Sequence, residues 1–245
     1  DGRTQLPIPL LDRQLRAAIA AEKTDLLMVE NCFYGVLPLL QSAARPPVFG
    51  IGVTPLSYSS RDAIFYGPRI PPALLPQALT REQLVDEETR VLIDDVQQSF
   101  DAALLQAGGR ALDRPFTDAL IGGCERFLQL ATTALEYERD DLPSGVRFVG
   151  PLRSGGQPAA EETLWEADDR RPLVIVSQGT LANVDLHQLI VPTLQALAHL
   201  PVRVLATTGG RATEGLMDAL PGNARVREFI SFELWLPETA LLITN

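Results

Sequence analysis

The chain has 245 residues, 46% of them hydrophobic and 21% charged, with a formal net charge of −10 at pH 7. That balance excludes a disordered polymer and leaves enough chain for one large or two modest globular domains. It also excludes a nucleic-acid backbone as main partner, which demands a basic face, whereas a locally positive site still admits a phosphorylated small molecule. Cys32 and Cys124 stand far apart and outside any Cys/His cluster, so neither a metal site nor dithiol chemistry is expected, and a reducing cytoplasm is the expected setting. No apolar run is long enough to span a bilayer, and no signal peptide is visible. Residue 1 is Asp, and Asn245 closes an apolar stretch, so the chain is expected to be a piece cut at both ends.

In chain order, Leu10, Leu11, Leu15 and Ile19 share one helical face over 10–22. Residues 26–29 (LLMV) predict a short buried strand that ends at Glu30-Asn31. Residues 33–44 read as a helix with Gly35 and Pro38 in or near its first turn. The next strand is 48–53 (VFGIGV), closed by Thr54-Pro55. This is the β-α-β unit of a parallel sheet with helices on its faces. Residues 56–76 form a proline-rich loop with Tyr58, Phe65 and Tyr66, the composition of a binding loop. A long helix over 81–105 follows, with a solvated acidic face. Strands are expected over 127–131 and 147–149, with a polar turn over 136–143 between them. Residues 153–169 have linker composition, which puts a domain boundary there.

The α/β rhythm then restarts. An apolar strand over 174–176 runs into Ser177-Gln178-Gly179-Thr180, a small-residue turn expected at a helix entrance. Such a turn presents N–H groups and hydroxyls to an anion. A helix over 189–200 holds Pro192 in its first turn, where the missing N–H costs nothing. Strands over 202–206, 224–230 and 240–244 alternate with helices over 213–220 and 233–238.

Taken together, VRFVGPL, VIVSQGT, ATTGG, REFISF and ALLITN resemble the nucleotide-sugar-dependent glycosyltransferases of two-Rossmann (GT-B) architecture. The look is nearest to the macrolide-type branch, whose members glycosylate natural products and which is related to the UDP-glucuronosyltransferases. The resemblance runs from TDLLMVENCF through PPVFGIGVTPL and EYERDDLPSGVRFVGP to ITN. It implies an α/β fold of two Rossmann-like parallel-sheet lobes, both incomplete: an acceptor-binding lobe over 1–150, a linker over 151–170 and the first part of the donor-binding lobe over 171–245. In that family the ITN position is followed by a Gly-Gly turn, and this chain ends just before it.

The resemblance also implies a reaction. A sugar passes with inversion from a UDP- or dTDP-sugar to a hydroxyl of an apolar small molecule, the aglycone, with no covalently held cofactor and no metal. Ser177, Gly179 and Thr180 would lie near the donor diphosphate. Asn245 would take the place of a diphosphate-contacting residue, often His. Phe229 would stack on the nucleotide base, with Ile230 offering backbone groups to the base edge. The family's base is a His in a stretch that does not occur here. His187 and His199 both fall in the donor segment, and neither is a candidate. Glu30 stands where the family carries the Asp that orients this base, and Asn31 is the alternative group there. A sugar-nucleotide epimerase or hydrolase on the same scaffold, or a non-catalytic partner of a transferase, are the competing expectations. A nicotinamide dehydrogenase is disfavoured because no G-x-G-x-x-G follows a strand.

Overall fold

The computed structural model describes residues 6–59, 87–136, 138–152, 164–181, 183–213, 216 and 220–245. Most of the loop expected over 56–76, the start of the helix over 81–105, most of the linker and most of the helix over 213–220 lie outside these residues. The chain divides into two compact units, Asp1–Arg153 and Ser154–Asn245. Each carries its own parallel sheet flanked by helices, the two Rossmann-like lobes of a GT-B fold.

The first unit's sheet has the order β1 (Leu27–Glu30), β2 (Val48–Gly52), β3 (Arg126–Gln129), β4 (Val146–Phe148), all parallel. Around it pack α1 (Ile8–Ala21), α2 (Leu37–Leu40), α3 (Glu87–Gln106) and α4 (Phe116–Gly123). Ile8, Leu37, Leu104, Leu120 and Phe127 are fully buried between them. Strand β2 makes room for its neighbour with glycines. A Cβ on Gly50 would stand 2.4 Å from Phe127 Cδ2, and one on Gly52 would stand 2.0 Å from Gln129 Oε1. Three aromatic rings join the helical elements: Phe100 stacks on Phe116 at 4.0 Å, and Tyr34 meets both edge-on at 4.9 and 5.3 Å.

Two expectations for this unit are corrected. The helix over 33–44 is a 3₁₀ turn, Tyr34–Val36, followed by the single turn of α2. Gly35 is pressed against α1, where a Cβ would lie 2.4 Å from Leu11 Cβ, and that close approach sets the path of the chain. Strand β1 is not buried throughout: Met28 is 62% exposed and only Val29 is buried. Among the described residues β1 pairs on one side alone. Helix α4 was not anticipated by any sequence pattern. Its first N–H, on Phe116, is taken by the distant Gln97 Oε1 at 3.1 Å.

The second unit's sheet has the order β7 (Ala224–Arg227), β6 (Arg203–Thr207), β5 (Leu173–Ser177), β8 (Thr239–Thr244). Every residue of β5 is buried, as its unbroken apolar run requires of a strand covered on both faces. Val174 and Val176 face α5 (Ile190–Leu197) through Ile190 and Leu194. Leu173 and Ile175 face Trp165, which meets Trp235 of α6 (Phe232–Trp235) edge-on at 6.0 Å. The chain leaves β5 for β6 and β7 on one side, then returns to lay β8 on the other. Strand order therefore reverses between β5 and β8. Open α/β sheets leave a crevice at the carboxyl ends of the strands at such a reversal.

Candidate functional site

The carboxyl rim of the second sheet gathers most of the residues singled out in the sequence. Strands β5 and β8 end in register, Ser177 opposite Thr244, so Asn245 stands at the crevice. The Ser177 hydroxyl accepts the Gly179 N–H at 3.1 Å. Gly179 has φ +66° with open space where a side chain would project, and Thr180 is exposed beyond it.

Gln178 points the other way and is 1% exposed. Its Nε2 donates to the Asp185 carbonyl at 3.1 Å, and its Oε1 accepts the Ile190 N–H at 3.2 Å. This corrects the reading of 177–180 as a helix entrance. Helix α5 begins only at Ile190, after a 3₁₀ turn, Leu186–Gln188, capped by the Asp185 side chain. Its leading amide is already bonded to Gln178. What this turn offers an anion is its own backbone and hydroxyls, not the end of a helix.

The loop after β6 is locked to the loop after β5. A Cβ on Gly209 (φ +63°) would stand 2.1 Å from the Gly179 carbonyl oxygen. Asn183 lies between the two loops with no exposed surface. Its Nδ2 donates to the carbonyls of Thr208 (2.7 Å) and Gly209 (3.2 Å), and its Oδ1 accepts from Arg211 Nε at 3.4 Å. Thr207 Oγ1 donates to the Glu228 carbonyl at 2.9 Å, which joins β6 to the end of β7. There Phe229 is 65% exposed with its ring against Gly210. Ile230 turns its side chain under the sheet, against the Trp165 cluster. Gln178, Asn183 and Arg211 were not singled out in the sequence. Their partners lie 7 to 28 residues away, beyond any local pattern.

On the carboxyl rim of the first sheet, Glu30 is exposed. Asn31 is 8% exposed and ties β1 to β2. Its Oδ1 accepts the Val53 N–H at 3.0 Å, and its Nδ2 donates to Thr54 Oγ1 at 2.8 Å. The Thr54 carbonyl in turn accepts Gln129 Nε2 at 2.6 Å. The Asn31 amide is thus engaged within the sheet, which corrects its reading as the alternative orienting group. Glu30 has one close neighbour of note, the Cys32 thiol. Partial burial, then the Glu30 charge and its hydrogen bond, raise that thiol above its ordinary value. A cavity of about 440 Å³ lies away from this rim, between α2, the end of α4 and the 110–114 segment.

Among the described residues, no group of three or more His, Cys, Asp or Glu side chains is placed to hold a metal ion. No described helix is long and apolar enough to cross a membrane.

No family model matches the chain. It is similar to UDP-glycosyltransferase 2 of Phaeomoniella chlamydospora, with 31% identity over 239 residues that make up 93% of this chain and 52% of that protein. It is equally similar to the 4'-demethylrebeccamycin synthase of Lentzea aerocolonigenes, 31% identical over 224 residues, 90% of this chain and 52% of that one. Among solved structures, the glycotransferase of kitacinnamycin has the same fold, with a TM-score of 0.64 and 18% identity over 97% of this chain and 56% of that one. The chain spans about half the length of the curated relatives it matches.

Proposed function

The chain belongs to the GT-B-fold glycosyltransferases of natural-product type, and from that premise we propose that its second unit holds the diphosphate and base of a nucleotide-sugar donor. The first unit, over residues 1–150, then serves the acceptor, and the reaction is an inverting sugar transfer. The observation that carries the donor assignment is the register of Ser177 with Thr244 across the point where strand order reverses. Ligands of open parallel sheets sit at this point. Ser177, Gly179, Thr180 and Asn245 surround it. Phe229 lies at the end of β7, two strand spacings from β5, or roughly 10 Å. That is a base-to-diphosphate span, with the exposed ring at one end and the turn of small residues at the other.

In the reaction, an acceptor hydroxyl oxygen attacks the anomeric carbon as the bond to the diphosphate oxygen breaks. The electron pair leaves with the diphosphate, and the acceptor proton passes to a base. Turn amides and hydroxyls stabilise the charge that grows on the leaving group. Glu30 orients the base and balances the positive charge that forms on it. The names of the relatives, a UDP-glycosyltransferase and a demethylrebeccamycin synthase, favour a nucleoside-diphosphate sugar as donor and an apolar natural product as acceptor. They favour transfer over epimerisation or hydrolysis.

The test is donor binding by calorimetry, with the chain carried in its complete reading frame. Thr180→Val removes a hydroxyl able to bond a charged oxygen, an interaction worth roughly 1.5–3 kcal/mol. The UDP or dTDP dissociation constant should rise about ten- to a hundredfold while acceptor affinity holds. An unchanged constant would leave Thr180 a plain turn residue, and a protein that binds neither nucleotide would remove the donor reading.

A further inference from the structure

We propose that Arg211, mounted on Asn183, is the cation that receives the donor diphosphate at the rim of the second sheet. The inference rests on the donor reading above and adds to it a residue that neither motif nor resemblance points to.

The mount sets Arg211 apart from an ordinary surface arginine. Asn183 has no exposed surface, and all its strong hydrogen-bonding directions serve one purpose. Both amide protons hold the carbonyls of the loop that precedes Arg211, and the amide oxygen accepts from the Arg211 Nε. The backbone of Arg211 is pinned as well, because Thr208 Oγ1 donates to its carbonyl. A buried polar network with every member satisfied is rigid, and it fixes what it carries. Here it carries a guanidinium, tethered by its Nε edge.

That tether leaves the Nη1 and Nη2 groups, the planar fork that pairs with phosphate oxygens. Arg211 is exposed, and among the described residues no carboxylate pairs with it. A preoriented cation in a chain of net charge −10 is the feature an anionic ligand needs. Its position fits too. Gly209 touches the Gly179 carbonyl and Gly210 touches the Phe229 ring, so Arg211 follows directly on the two contacts that join the diphosphate turn to the base platform. As the glycosidic bond breaks, charge accumulates on the diphosphate, and a fixed cation stabilises it without having to reorganise.

The experiment compares wild type, Arg211→Gln and Arg211→Lys, each in the complete reading frame. The probes are UDP or dTDP, whichever wild type binds tighter, the matching nucleoside, and inorganic diphosphate. Arg211→Gln should weaken nucleotide and inorganic diphosphate by about ten- to a hundredfold, the loss expected for paired charge-assisted hydrogen bonds. Nucleoside affinity should not change. Arg211→Lys should recover only part of the loss, since an ammonium lacks the fork. Unchanged nucleotide affinity in Arg211→Gln overturns the proposal. If Thr180→Val still weakens the nucleotide in that case, the donor reading survives without Arg211. An equal loss for the nucleoside also overturns the proposal, because it would mean that Arg211 shapes the loop rather than meets the diphosphate. If wild type binds neither nucleotide nor diphosphate, the proposal and the donor reading fall together.

Discussion

Gly210 and Phe229 occupy one another's space: a Cβ on the glycine would stand 2.8 Å from the ring's Cζ and 3.2 Å from its Cε2. The absence of a side chain at Gly210, whose φ is +90°, is what lets the exposed ring rest on the neighbouring loop. Gly210→Ala should therefore cost stability, about 1–2 kcal/mol for the left-handed backbone alone, and displace the ring. Phe229→Ala should leave the melting temperature nearly unchanged, since the ring is 65% exposed. It should nevertheless weaken nucleotide binding by about 1–3 kcal/mol, the scale of base stacking on an aromatic side chain. Thermal melts and nucleotide titrations of both variants separate the two effects. A Phe229→Ala protein with full affinity would end its role as a base platform.

Gln178 bridges the end of β5 to the start of α5, and replacing it strands both partners. Gln178→Leu should destabilise the second unit by about 1–3 kcal/mol, because the buried Ile190 N–H loses its partner. The protein has two tryptophans, Trp165 and Trp235, and both belong to the second unit. Tryptophan fluorescence during urea unfolding therefore follows this unit alone. A midpoint equal to wild type would show that water replaces the amide at no cost.

Glu30→Gln in the complete reading frame should lower turnover by about a hundredfold or more, the range usual for assistance to a general base. Donor affinity should hold, and Glu30→Asp should keep much of the activity. A second readout needs no activity. Glu30 helps to raise the Cys32 thiol, so in Glu30→Gln the Cys32 thiol should titrate at lower pH and be alkylated faster at pH 8. The return should be partial, because partial burial, the larger cause, remains. Unaltered turnover together with faster alkylation would make Glu30 a neighbour of Cys32 and nothing more.

Cys124 gives the first unit an alkaline sensitivity. Burial pushes its thiol from 9.0 up to about 12. The folded state therefore holds the thiol proton more tightly than the unfolded chain does. The associated stability is fully present below pH 9 and is lost as pH rises from there toward 12, by up to about 1.4 kcal/mol per pH unit. Urea unfolding followed by circular dichroism at pH 8 and pH 10.5 should show the loss. Cys124→Ala should start lower, because it empties a packed site, but fall less over the same interval. Parallel declines in the two proteins would place the sensitivity elsewhere.

The strands were the most legible part of the fold. Residues 173–177 read LVIVS, and an unbroken apolar run before a turn has few alternatives to a central parallel strand. Helix α1 showed itself through a 3.6-residue stripe. Helix α4 did not, because it is only eight residues long and closes on Gly122-Gly123, and its leading amide is satisfied from α3. The helix over 33–44 was overread because nothing local says that Gly35 must fit against Leu11. The same division holds at the site. Ser177, Gly179 and Phe229 announce themselves as turn and rim residues. Gln178 and Asn183 look like ordinary polar loop residues, and their importance lies in groups that only folding brings to them.

The reversed strand order carries a consequence for how the protein is assembled. Strand β5 can pair with β6, and β6 with β7, while the chain is still emerging, but the Ser177 side of the crevice waits for β8, made after them. The crevice thus closes only after β6 and β7 are in place. A ligand that spans Ser177 and Thr244 would fasten β5 to a strand made after β6 and β7. By mass action it would favour the sheet with β8 in place over one from which β8 has peeled away. For such a protein, occupancy of the crevice and integrity of the sheet are one equilibrium.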